Sequence, residues 1–113
     1  MKNKKVLVLG VALVLLALVA GSVFAINLGE MRDSMRAGIR ASEQALALAK
    51  SDVEKNLDQI QSLLKTCLAA AVDYENYEST HDEVQAYDKQ QARTLQGNLT
   101  AIKRIFQAHG YDF

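Results

Sequence analysis

The chain has 113 residues with 13 basic and 13 acidic side chains, one cysteine, and neither proline nor tryptophan. That length leaves room for one domain at most, and a lone thiol excludes both an intramolecular disulfide framework and an all-protein cysteine-based zinc site. Lys2, Lys4 and Lys5 precede a long apolar run, so the remainder carries ten basic groups against thirteen acidic ones, without the dense Lys/Arg face that wrapping nucleic-acid phosphate needs.

Residues 6–26, VLVLGVALVLLALVAGSVFAI, hold no charge, and Ser22 is their only polar side chain. As a helix they would span on the order of 30 Å, the thickness of a bilayer's hydrocarbon core. The uninterrupted apolar length exceeds what export alone requires, so residues 6–27 are expected to be a transmembrane anchor. The alternative is a signal peptide cleaved after Ala25: residues 1–5 form a basic n-region, and Val23 and Ala25 occupy the minus-three and minus-one positions of a possible cleavage site. Either way the short basic tail stays cytoplasmic, and residues 28–113 form a periplasmic or extracellular domain. Cys67 is too far downstream to serve as a lipobox cysteine.

Beyond the run the pattern is helical throughout. An apolar or half-apolar residue returns every seven positions at Ile39, Leu46, Val53, Ile60, Cys67 and Tyr74, with a second line at Leu57, Leu64 and Ala71. This heptad-like seam, together with the helix-forming stretches ASEQALALAK and CLAAAV, predicts one long helix over about 28–78. Gly29 and Gly38 weaken its first turns. Ser51 and Glu54 have the spacing of a capping box that would restart the helix, but the seven-residue phase passes position 51 without slipping, which favours continuity.

The predicted break is NYESTHDE, where Thr80 and Glu83 match a capping box and Asp82 and Glu83 suit a helix N-terminus. A second helix is expected over 81–109, with an apolar face of Val84, Tyr87, Leu95, Leu99, Ile102 and Phe106 and with Gly110 as its C-terminal cap. The expected fold is therefore all-α: an N-terminal transmembrane or signal helix, then a long helix and an antiparallel, coiled-coil-like hairpin. Residues 30–50 have no partner within the chain in this scheme, so the seam is expected to pack against other copies or another helical protein.

Few residues offer chemistry. Glu78 and His81 have the Glu-x-x-His spacing of carboxylate-bridged di-iron bundles, but one copy straddling a predicted turn is half or less of such a site, and the acidic cluster of residues 73–83 reads as a solvated turn. Cys67 sits on the seam with no histidine near it in sequence, which favours a buried core thiol over an intermolecular disulfide or a nucleophile. Tyr74, Tyr77 and Tyr87 gather near the turn and are expected to pack its end rather than to form a binding patch. Asn98-Leu99-Thr100 matches a glycosylation sequon inside a predicted helix. Arg32, Arg36 and Arg40, spaced by four, form a basic stripe that either meets anionic head groups or pairs with Glu43 and its neighbours. The chain has no Gly-rich phosphate loop, nucleophile elbow or paired catalytic carboxylates, so no catalytic residue, cofactor or small-molecule substrate is expected.

Three segments carry a family resemblance. DQIQSLLKT, Asp58 to Thr66, is similar to a segment of the LemA family with a Leu-Ile-Pro-Asn-Leu-Val core followed by Glu-Thr; Ile60, Leu63, Leu64 and Thr66 fit, while Gln61 replaces the proline and Ser62 the asparagine. NLTAIKRIFQAHGYDF resembles the stretch of that family ending in Tyr-Pro-Asp-Leu, with Tyr111 and Asp112 in place and no proline between them. Ile26 and Asn27 sit where the family often has Tyr-Asn. Together these matches cover about a third of the chain. The resemblance implies a short basic N-terminus, one membrane helix and an extracytoplasmic bundle acting as a tethered scaffold without an established catalytic site. Members usually continue for another pair of helices and carry a tryptophan early in the first soluble helix, for which this chain has no counterpart. The functional expectation is a non-enzymatic, membrane-anchored helical interaction protein that self-associates; the alternative is a cleaved periplasmic binding or chaperone-like module.

Overall fold

A computed structural model describes residues 25–111, which are all-α. The helices are α1 (Leu28–Ser51), α2 (Leu57–Thr80) and α3 (Ala86–Ala108). Among the described residues there is no strand, and no helix is long and apolar enough to cross a membrane. The apolar run before Ala25, on which the anchor and signal readings rest, lies outside the described residues.

α1 starts where Asn27 caps it, its side-chain oxygen accepting from the Glu30 N–H at 2.7 Å. It ends at Ser51, which corrects the expectation of one helix over 28–78. Asp52 is extended at φ −165°, its carboxylate accepts from the Lys55 N–H at 3.1 Å, and the Asn56 amide donates to the Leu48 carbonyl at 3.1 Å. The Asp52 side chain thereby takes over a backbone N–H, as Asp does in turns, and the Asn56 side chain adds a second donor to a Leu48 carbonyl that already accepts from the Asp52 N–H at 3.0 Å. The seven-residue phase survives the break because Val53, although in the turn, is fully buried.

The second break also differs in detail from the expected capping box. Thr80 is the last residue of α2, its hydroxyl donating back to the Asn76 carbonyl at 2.7 Å, and His81 rather than a new helix follows it. α3 starts at Ala86, five residues later than the pattern placed it. Its far end matches expectation: Gly110 has φ 87°, the Tyr111 N–H reaches the Phe106 carbonyl, and the Gly110 N–H reaches that of Gln107, both at 3.0 Å. This is a Schellman ending, and the aromatic contact that accompanies it joins the Phe106 and Tyr111 rings at 5.3 Å.

The helices run up, down, up. α1 packs against both others, whereas α2 and α3 scarcely touch, so α1 forms the vertex of an open V. This overturns the scheme in which residues 30–50 lack a partner in the chain. The buried line on α1 is Met31, Met35, Gly38, Ser42, Ala45 and Ala49, a heptad stripe one residue out of phase with the expected Ile39–Leu46 line. Its residues are mostly small because α1 is pressed from two sides. At the α1–α2 crossing, a Cβ placed on Gly38 would stand 2.4 Å from that of Ala70, and the Cys67 thiol donates to the Gly38 carbonyl at 3.5 Å. α1 and α3 are parallel and in fixed register, since Arg32–Asp88 and Ser42–Asn98 are both separated by 56 positions.

Candidate functional site

Because α2 and α3 diverge from α1, they leave between them an open groove of about 330 Å³. Met35 of α1 forms its floor; Ala71, Tyr74 and Glu75 form one wall, and Ala92, Leu95, Gln96 and Leu99 the other. The apolar side chains lie deep and the polar ones at the rim, an arrangement suited to an amphipathic helix. Tyr74 is half-buried; burial raises its phenol pKa most, Glu78 and Asp88 raise it further, and Arg93 opposes them. The phenol therefore lies within electrostatic reach of charges from both walls.

Fourteen residues were expected to form an interaction seam, and they separate into three groups. Val53, Ile60, Leu64, Cys67, Leu95, Ile102 and Phe106 are buried among the chain's own helices. Ile39, Leu46, Leu57, Tyr74, Val84 and Leu99 are half-buried, and Tyr87 stands out at 57% exposure. Only Tyr74, Leu95 and Leu99 reach the groove. Ala71, on the second line of the expected seam, lies there too, whereas Met35 and Ala92 were missed: a methionine and a small residue on helix flanks give little apolar signal, and the V that exposes them is a tertiary feature.

The groove is braced at one end by an unforeseen clasp. The Arg32 guanidinium donates to both carboxylate oxygens of Asp88, at 2.9 and 3.0 Å, and to the Gln85 side-chain oxygen at 3.0 Å. Asp88 is 2% exposed, so this bidentate pairing offsets the cost of burying it, and its hydrogen bond is the main cause that raises the Arg32 pKa. The Tyr87 ring lies 5.3 Å from the guanidinium carbon. The basic stripe is therefore divided: Arg32 turns to α3, Arg36 pairs with Asp33 at 3.1 Å, and Arg40 is exposed.

The other candidates have local partners. His81 stacks on Tyr77 with ring centroids 3.9 Å apart, and its Nδ1 lies 2.9 Å from the Tyr77 carbonyl oxygen, while Glu78 is exposed in the last turn of α2. Among the described residues, no group of three His, Cys, Asp or Glu side chains is placed to hold a metal ion. Burial pushes the Cys67 thiol up to about 11, the reverse of what a nucleophile requires. The sequon residue Asn98 donates its side-chain amide to the Ser42 hydroxyl at 2.9 Å. His109 caps α3 through its backbone N–H.

Comparison with protein-family models, with curated proteins and with solved structures finds no match for this chain.

Proposed function

We propose that the chain is a non-enzymatic, membrane-anchored helical interaction protein: residues 6–26 tether it, and its extracytoplasmic three-helix unit offers the α2–α3 groove to another helix. The observation that carries this reading is the groove itself, an apolar slot with Met35 as its floor that no side chain among the described residues fills. The apolar run supports the tether, being long enough to span the hydrocarbon core. A buried thiol at high pKa and a His81 ring held against the Tyr77 carbonyl support a binding role rather than a catalytic one. The LemA-like resemblance belongs to the same proposal, as a tethered scaffold of long helices.

The second reading, a cleaved periplasmic binding or chaperone-like module, rests on Val23 and Ala25 at cleavage-site spacing. Intact mass of the protein from fractionated cells, combined with carbonate extraction of membranes, separates the two. The anchor predicts a chain that starts at Met1 or lacks only that residue and stays with the extracted membrane. A soluble species beginning at Ile26 would discard the tether.

A further inference from the structure

We infer that the helical partner at the groove is a second copy of this chain, its own groove facing this one in parallel, so that α2 of each copy runs along α3 of the other and the two close the mouth between them. The inference rests on the groove's role as the binding surface and adds its partner and orientation.

The rim charges carry the argument. Glu75 and Glu78 are exposed on α2; Lys89 and Arg93 are exposed on α3. Lys89 precedes the groove residue Gln96 by seven positions and so shares its helix face, and Glu78 and Arg93 both act on the Tyr74 phenol inside the groove. Among the described residues none of these four has an ion-pair partner. One wall is thus acidic and the other basic, at the same height, and each lacks its counterion.

Two such grooves meeting face to face about a two-fold axis have two limiting arrangements, with the axis along the helices or across them. With the axis parallel to the helices, each acidic wall meets the other copy's basic wall at the same level: Glu75 and Glu78 oppose the partner's Lys89 and Arg93. With the axis across the helices, α2 meets α2 and α3 meets α3, placing like charges together, which complementary interfaces avoid. The parallel arrangement is also the one that two copies anchored in one membrane must adopt. It brings the half-buried Tyr74 on α2 of each copy to the side of the half-buried Leu99 on α3 of the other, giving the self-complementary patch of a two-fold dimer.

The test is directed disulfide formation between two differently tagged full-length chains in the membranes of expressing cells. Glu75→Cys in one chain and Arg93→Cys in the other are expected to give a tagged heterodimer on mild oxidation, while Glu75→Cys paired with itself and the wild-type chain, whose Cys67 is buried, give little. A second measurement guards against misfolding. Glu75→Arg should abolish the dimer at unchanged helix content, and combining it with Arg93→Glu in the same chain should restore it. Absence of the mixed cross-link, dominance of the Glu75→Cys self-cross-link, or failure of the double charge exchange to restore association would each overturn the parallel dimer. A chain that stays in carbonate-washed membranes yet fails these tests remains a tethered protein with some other partner. A chain recovered as a soluble species loses the tether, and the same cross-links in solution still decide the dimer.

Discussion

Two glycines inside helices should respond to the same substitution with opposite signs. By propensity alone, Gly→Ala in a helix interior stabilises by about 0.8–1.0 kcal/mol. At Gly97 a new Cβ meets nothing within 4 Å, so Gly97→Ala should realise that gain. At Gly38 the new Cβ would lie 2.4 Å from Ala70 Cβ, about 1 Å or more inside the roughly 3.5–4.0 Å optimum for two carbons. Ala70 cannot rotate away, so α1 and α2 must part, and the Cys67 thiol loses its 3.5 Å approach to the Gly38 carbonyl. Overpacking costs about 1–3 kcal/mol, and a clash at 2.4 Å between atoms that cannot rotate away belongs in its upper half, about 2–3 kcal/mol; with the propensity gain subtracted, Gly38→Ala should lose about 1–2 kcal/mol. For a domain of this size that lowers Tm by roughly 5–15 °C, while Gly97→Ala should raise it by a few degrees. Circular dichroism melts of the full chain in detergent measure both, and adding Ala70→Gly to Gly38→Ala should recover part of the loss. A Gly38→Ala chain as stable as the parent, or more so, would refute the close crossing of α1 and α2.

Other perturbations distinguish core, clasp and surface. Arg32→Met should lower Tm clearly more than Arg36→Met in the same melts, because Arg32 neutralises a carboxylate that is 2% exposed, whereas Arg36 pairs with an exposed one. Phe106→Ala should cost about 3–5 kcal/mol in chemical denaturation, since the ring is fully buried, and Tyr87→Ala no more than about 1 kcal/mol. The Cys67 thiol, pushed up to about 11 from 9.0, ionises more readily in the unfolded chain than in the folded one. Its contribution to stability is therefore complete below about pH 9 and is lost as pH rises towards 11. Cys67→Ala should flatten that alkaline decline in a pH series, and alkylation of the native chain at pH 8 should be slow until denaturant is added.

The helical class, the α1 start, the Schellman ending at Gly110 and the buried state of Cys67 were all legible in the sequence, because each rests on local chemistry or on a period carried by large apolar residues. The face of α1 was not. Ile39 and Leu46 outweigh Gly38, Ser42 and Ala45 on any hydropathy reading, but the middle helix of three needs small residues where two neighbours approach. The Asp52–Asn56 turn was masked by a coincidence of phase: Val53 is buried whether or not the helix continues. The Arg32–Asp88 clasp joins positions 56 apart, a distance over which spacing carries no signal. The groove depends on α2 and α3 failing to meet, and no local rule encodes a gap.

An odd number of helices running up and down has a mechanical consequence. Ile26 enters beside Met31 and Tyr77 at one end of the unit, and Tyr111 closes over Ala49 and Val53 at the other, in a body 45 Å long. A reporter joined at Tyr111 would thus stand about one body length from the point where the apolar run joins the domain. Tension applied between these two points would run along the parallel α1–α3 seam and load the Arg32–Asp88 and Ser42–Asn98 contacts together in shear, so the unit should behave as a stiff strut rather than unzip from one end.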